Sequence, residues 1–225
     1  MEGNDHEQYY FNFSFFKIDP KWRWMADLAK EESAREVENV IRNSGIRFRS
    51  YSTLGLRDDA EFLFWFAARS VEEIQEVMTK LYLTVFGKYI TPSLTYLSCT
   101  RPSIYQRKGR TLSFVAGNEP RQYVIVYPFV KTREWYLLPA EQRQKMMDEH
   151  IDVSEKYPEV ILNTTYSFGI HDPDFMLAFE TDDLRKFQDL IMDLRQTKVS
   201  AYVKQDTPMV VCVKKDIIPL ISSLG

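Results

Sequence analysis

The sequence predicts an α+β protein: two ferredoxin-like βαββαβ halves in tandem, each with an antiparallel sheet. Three observations carry that expectation: an internal repeat, strand and helix periodicities that follow the same order twice, and a polar connector between the two runs. The repeat is explicit. Residues 51–81 read YSTLGLRDDAEFLFWFAARSVEEIQEVMTKL and residues 166–194 read YSFGIHDPDFMLAFETDDLRKFQDLIMDL. Both begin Tyr-Ser, reach a Gly-apolar-X-Asp turn, pass an acidic residue followed by Phe, and enter a helix with an apolar stripe. The stripe is Val71, Ile74, Val77, Met78 and Leu81 in one copy, and Leu184, Phe187, Leu190, Ile191 and Leu194 in the other. From Glu61 and Asp174 onward the copies align without a gap.

The elements follow in order. In the first half, residues 9–17 read as a strand and about 20–44 as a helix. Residues 46–51 and 61–67 pair across the Gly55 turn, residues 71–82 form the second helix, and 92–100 close the half as a strand. In the second half, the strand is 122–129 and the helix runs from Pro139 to about Lys156. The next pair is 160–167 with 175–180, the second helix is 184–196 and the final strand is 209–214. The connector 101–121, with its RKGR and GNEPR runs, reads as loop and marks the boundary between halves 1–105 and 106–225.

Composition excludes several classes. The net charge is -3 with a pI of about 5.7, so no basic field gathers nucleic acid. Cys99 and Cys212 stand far apart and form no CxxC site or disulfide framework. No apolar run approaches the roughly 18 residues that suggest a membrane span. Residues 1–8 are polar and acidic, unlike a secretion signal. A soluble, cytoplasmic protein is expected.

Three histidines offer themselves for chemistry. His6 lies in the terminus, where fraying is expected. His171 sits in the turn GIHDPD where the first copy has Arg57, which suits a solvated turn residue. His150 differs. Pro139 and Glu141 start its helix, and Met146, Met147 and His150 share one face. A helical His among apolar neighbours is commonly a satisfied core residue. A haem ligand needs the same dry setting, and a partner for the second ring nitrogen. Upstream, Tyr127 offers a redox-active phenol, Lys131 a cation for a carboxylate and Trp135 a flat wall. Aromatic packing at a strand edge explains the same residues.

Taken together, the run YPFVKTREWYLLPAEQRQKMMDEH resembles the chlorite dismutase-like family, which includes the coproheme decarboxylases. The matching features are Tyr-Pro-x-x-Lys, an aromatic pair, Leu-x-Pro, an acidic-Arg helix and a His fourteen residues after the pair, here Tyr136 to His150. A second block, the Gly-apolar-x-Asp turn with its strand and helix, is matched by residues 169–184. The resemblance implies a dimeric α+β barrel type of fold, with the haem site in the second half. It implies that His150 ligates the iron of haem b or coproheme, with Lys131, Trp135 and Met147 also contacting the cofactor. It further implies that Tyr127 is oxidised to a radical and that Lys131 binds propionate. Hydrogen peroxide is the implied oxidant, and two propionates become vinyls with loss of carbon dioxide. Counting thirteen residues from His150 puts Asn163 at the distal position, where chlorite dismutases carry Arg. The Glu that accepts from the proximal His in the family is matched by Lys198. A homopentamer binding a porphyrin is the implied assembly, without nucleic-acid or membrane partners. A non-catalytic haem-binding or haem-transfer protein is the alternative that Lys198 motivates.

Overall fold

The computed structural model describes residues 8–103, 105 and 112–225. His6 and the whole RKGR run therefore lie outside the described residues. In chain order the elements are β1 (Tyr10–Ile18), a 3-10 turn (Pro20–Trp24), α1 (Asp27–Arg42), β2 (Arg47–Ser52), β3 (Phe62–Ala68), α2 (Val71–Leu83) and β4 (Ile90–Cys99). There follow β5 (Tyr123–Lys131), α3 (Arg133–Leu137), α4 (Ala140–Ser154), β6 (Ile161–Tyr166), β7 (Phe175–Thr181), α5 (Leu184–Arg195), a 3-10 turn (Lys198–Tyr202) and β8 (Val203–Gln205). The chain ends with β9 (Val210–Lys214) and α6 (Ile217–Ser222).

Two compact units result, Met1–Thr100 with Val211–Gly225, and Arg101–Val210. Within the first unit the antiparallel order is β4-β1-β3-β2. Within the second it is β6-β7-β5-β8. Both are the βαββαβ arrangement expected from the sequence. The division departs from a cut at residue 105 in one respect: the last fifteen residues pack with the first unit. The reason is apolar area. Ile217, Leu220, Ile221 and Leu224 join Val37 and Ile41 of α1 and Phe62, Phe64 and Phe66 of β3 in one buried cluster. The strand expected over 209–214 accordingly pairs with β2, Tyr51 opposite Lys214 and Ser52 opposite Val213.

The repeat is visible in local chemistry as well as in order. Outside β2, β6 and the turns that follow them, where it grows by one or two residues, an offset of 113 residues, the spacing of Glu61 and Asp174, relates the two units. Ser70 caps α2 by accepting from the Glu73 N–H, and Asp183 caps α5 by accepting from the Arg185 N–H. Gly55 and Gly169 hold φ of 75° and 74° at the two turns, a conformation that costs a glycine no Cβ clash. After β1 the expected single helix is broken. Pro20 opens a 3-10 turn that buries Trp22, and the backbone is extended at Met25 before α1 begins. The offset equivalent, α3, buries Trp135 in the same way. Among the described residues no helix is long and apolar enough to cross a membrane.

Leu220 has no exposed surface and lies at the centre of the α1–α6 contact. Leu220→Ala is expected to cost about 2–5 kcal/mol, the usual range for emptying such a core site. Urea unfolding should read this as a lowered midpoint with an unchanged slope.

Candidate active site

In the second unit a period of two sorts the sheet into faces. Tyr127 lies opposite Leu177, Ile125 opposite Phe179, and Leu162 opposite Phe179. One face therefore carries Ile125, Tyr127, Phe129 and Lys131 of β5, with Phe175, Leu177 and Phe179 of β7. Helix α5 covers part of it, because Phe187 packs on Phe179 at 5.2 Å between ring centroids. Helix α4 packs against α5 and the turn Lys198–Tyr202.

His150 projects from α4. The residue is half-exposed overall, but its Nδ1 atom is buried and has no hydrogen-bond partner among the described residues. Burial, helped by the nearby Lys131 ammonium, pushes its pKa down to about 4, so the imidazole is neutral at pH 7. The offset of 113 places His150 where the first unit has Val37, a core residue. It also pairs Lys131 with Ile18 and Tyr127 with Ser14. Helix α1 buries Ser33, Ala34, Val37 and Ile41, whereas none of the residues of α4 is buried. The same frame thus closes on an apolar core beneath α1, whereas no residue of α4 is buried.

Lys131 is buried at the end of β5. Its ammonium donates to the Val199 carbonyl at 3.4 Å and lies 4.6 Å from the Trp135 ring centroid. Burial pulls its pKa down to about 8, with the Asp174 carboxylate opposing that shift. Asp174 holds the segment in place: one carboxylate oxygen accepts from the Lys131 N–H at 2.8 Å and from the Tyr136 hydroxyl at 2.6 Å. Glu61 does the equivalent in the first unit, accepting from the Ile18 N–H at 2.7 Å. Tyr127 is buried and stacks on Phe179, centroids 5.9 Å apart. Burial raises its phenol well above the ordinary tyrosine range; Asp206 adds to this and Arg195 opposes it. Trp135 is buried and tilted against Tyr202 and Tyr105.

A neutral histidine on a helix with no buried residues, with a buried ammonium near it, narrows the field. The chlorite dismutase family model matches residues 30–215. The chain belongs to the chlorite dismutase family. A coproheme decarboxylase from Mycolicibacterium smegmatis is 35% identical over 203 residues, covering 88% of this chain and 87% of that protein. The chlorite dismutase of Ideonella dechloratans is 27% identical over 227 residues, covering 95% and 79%. A mutant chlorite dismutase from Candidatus Nitrospira defluvii superposes with a TM-score of 0.87 at 25% identity, over 96% of this chain and 95% of that one.

Within this chlorite dismutase-family chain the sequence-derived candidates do not all converge. His150, Lys131, Trp135 and Tyr127 belong to the same side of the second unit. Met147 is half-buried on α4, three residues before His150. Asn163 is elsewhere. It lies opposite Ala178 on the other face of the sheet from Tyr127, because one residue of register reverses the side. Its amide is engaged there: Nδ2 donates to Glu180 Oε1 at 2.8 Å and to the Ala178 carbonyl, while Oδ1 accepts from the Phe114 N–H. Its neighbours Leu162 and Thr164, with Tyr166, are the β6 residues on the Tyr127 face. Lys198 is exposed at the start of its 3-10 turn. Sequence reasoning passed over Asp174 and Tyr202. Asp174 was detectable, since Glu61 occupies the same repeat position; no local pattern announces the Tyr202 contact.

The His150 shift has a definite sign. With a folded pKa of about 4 against an ordinary 6.5, the unfolded chain binds the extra proton between those values. The stability contributed by neutral His150 is present above pH 6.5 and lost as pH falls toward 4. In the ligand-free protein the His150 ring protons should titrate near pH 4 by NMR; a midpoint near 6.5 contradicts the burial argument.

Proposed function

We propose that this chain binds an iron porphyrin through His150 and oxidatively decarboxylates iron coproporphyrin III to haem b with hydrogen peroxide. The observation that carries the reading is the neutral imidazole of His150, whose buried Nδ1 has no partner among the described residues, on a helix with no buried residues, with Tyr127 and Lys131 on the sheet face of the same unit. The residues fit such a group. Neutral imidazole is the form that ligates iron, and the largely apolar sheet face of the same unit, with Phe175, Leu177 and Phe179, would suit a flat macrocycle. Among the described residues no three His, Cys, Asp or Glu gather to hold a bare metal ion; His150 is the residue that would hold the iron of a bound porphyrin. The identity to a protein named coproheme decarboxylase supports the same reading.

A bound iron porphyrin supplies the redox centre that takes electrons from the protein and passes them to peroxide. The chain's own residues do the rest. Lys131 presents Nζ to a propionate by charge-assisted hydrogen bonding and so fixes its position. Tyr127, kept protonated by burial, gives up its hydroxyl proton as it gives up an electron, and the resulting phenoxyl abstracts hydrogen from the propionate. Trp135 walls the pocket, with Met147 beside His150. Each cycle consumes one propionate, one hydrogen peroxide and one proton, and yields one vinyl, one carbon dioxide and two waters. Chlorite decomposition is disfavoured, since Leu162, Thr164 and Tyr166 rather than an Arg occupy the Tyr127 face of β6. The protein is read as cytoplasmic and homopentameric. Trp24 and Leu137, which share a repeat position, are 90% and 84% exposed, as oligomer contacts would be in an isolated chain.

One observation favours a second reading, non-catalytic haem binding or transfer. With Lys198 exposed and no acceptor for His150 Nδ1 among the described residues, His150 as a ligand would lack the partner that raises imidazole basicity.

Anaerobic titration with iron coproporphyrin III should give one equivalent of binding, abolished or spectrally altered in His150→Ala. Added peroxide should then produce two successive decarboxylations by mass spectrometry, absent in Tyr127→Phe. Tight binding without mass loss in the unaltered protein establishes the second reading in place of the first.

A further inference from the structure

Lys131 lies against one oxidisable ring of the second unit, Trp135, and not against Tyr127, which stands four residues earlier on the same strand. Trp135 is 3% exposed, and Lys131 Nζ lies 4.6 Å from its ring centroid. The ammonium is held there from several sides: it donates to the Val199 carbonyl, lies 5.2 Å from the Phe129 ring, and its backbone N–H is tied to Asp174. Tyr127 instead stacks on Phe179, with no cation over its ring among the described residues.

Losing an electron affects these rings differently. Indole becomes a radical cation, and a fixed positive charge against its face raises the energy of that state by direct repulsion in a water-poor setting. Phenol releases its proton as it is oxidised and ends neutral, so a nearby cation penalises it far less. Trp135 is also the dangerous exit. Its ring lies 5.6 Å from Tyr202, which is half-exposed, and 6.3 Å from Tyr105. An oxidising equivalent reaching Trp135 has an aromatic route away from the substrate.

The repeat supplies an internal comparison. Trp22 occupies the equivalent position in the first unit, is equally buried, and has Ile18 where Trp135 has Lys131. No cation lies over Trp22 among the described residues. The charge present at this repeat position in the second unit is replaced by Ile18 in the first, where the cation over an indole is instead Arg49 on Trp65, at 5.7 Å.

We propose that Lys131 shields Trp135 from one-electron oxidation and thereby directs oxidation to Tyr127. This specificity role rests on the haem reading above and is additional to propionate binding. The side reaction it suppresses balances as hydroxylation of the indole: one C–H becomes C–OH while one hydrogen peroxide is reduced to one water.

The test has a porphyrin-free arm, so it survives or fails apart from the decarboxylase reading. Full-length ligand-free protein is exposed to a photogenerated ruthenium(III) tris-bipyridine oxidant, and oxidation of Trp135 relative to Trp22 is read by peptide mass spectrometry. In Lys131→Met the ratio should rise at least about fivefold, as expected for removing a like charge at this distance. Lys131→Arg, which keeps the charge, should hold the ratio near that of the unaltered protein. Lys131→Gln stands in if the Met variant misfolds. In the second arm, coproheme-loaded protein treated with peroxide should show the same order of Trp135 hydroxylation. An unchanged ratio in the neutral variants overturns the proposal, as does an equal rise in Lys131→Arg, which would make packing rather than charge the protection. Absence of coproheme decarboxylation in the unaltered protein removes the haem reading without touching the first arm.

Discussion

Everything near His150 is referenced to one carboxylate. Asp174, at the start of β7, accepts from the Lys131 N–H at the end of β5 and from the Tyr136 hydroxyl in α3. Those bonds fix where the first strand of the unit stops and where the following turn begins. Thr132 then caps α3 by accepting from the Trp135 N–H, which sets the indole inward. With the strand end and the turn both held, Lys131 has little choice but to lie along the Trp135 ring. A charge-assisted bond to backbone is a strong local restraint, and here it positions two side chains that are not its own partners.

The same restraint operates in the first unit, where Glu61 holds Ile18. What differs is how each copy fills the space beneath its first long helix. Val37 and Ile41 of α1 meet Leu220 and Ile221 of α6, and the apolar volume is closed. At the equivalent places α4 has His150 and Ser154, and none of its residues is buried. Duplication of a stable frame permits this. One copy satisfies the hydrophobic requirement with borrowed C-terminal residues, while the other can expose polar groups to a ligand that completes its core. Three positions separate the copies chemically: Ser14 and Tyr127, Ile18 and Lys131, Val37 and His150.

The charge arrangement around the imidazole follows from the same packing. Lys131 and His150 disfavour each other's protonated forms, and burial disfavours both. Between about pH 4 and pH 8 the compromise is a neutral imidazole beside an ammonium, a combination that suits metal ligation and carboxylate binding together. In the proposed function a ligand's propionate would offset desolvation of the ammonium that the Val199 carbonyl and Asp174 offset only in part.

Much of this was legible in the chain. Periodicity and the Tyr-Ser-to-Leu repeat determined the two βαββαβ units, because side-chain spacing follows directly from helix and strand geometry. Residue identity and spacing picked out His150, Tyr127, Lys131 and Trp135, since few residue types perform that chemistry. Three matters waited for the folded chain. Residues 211–225 pack with the first unit, because apolar contact is indifferent to sequence distance. Asn163 faces away from Tyr127 and is satisfied by Glu180, because counting from a helix cannot settle strand parity through a loop. And the ammonium of Lys131 rests on Trp135, a contact made by side-chain directions and burial that no linear spacing encodes.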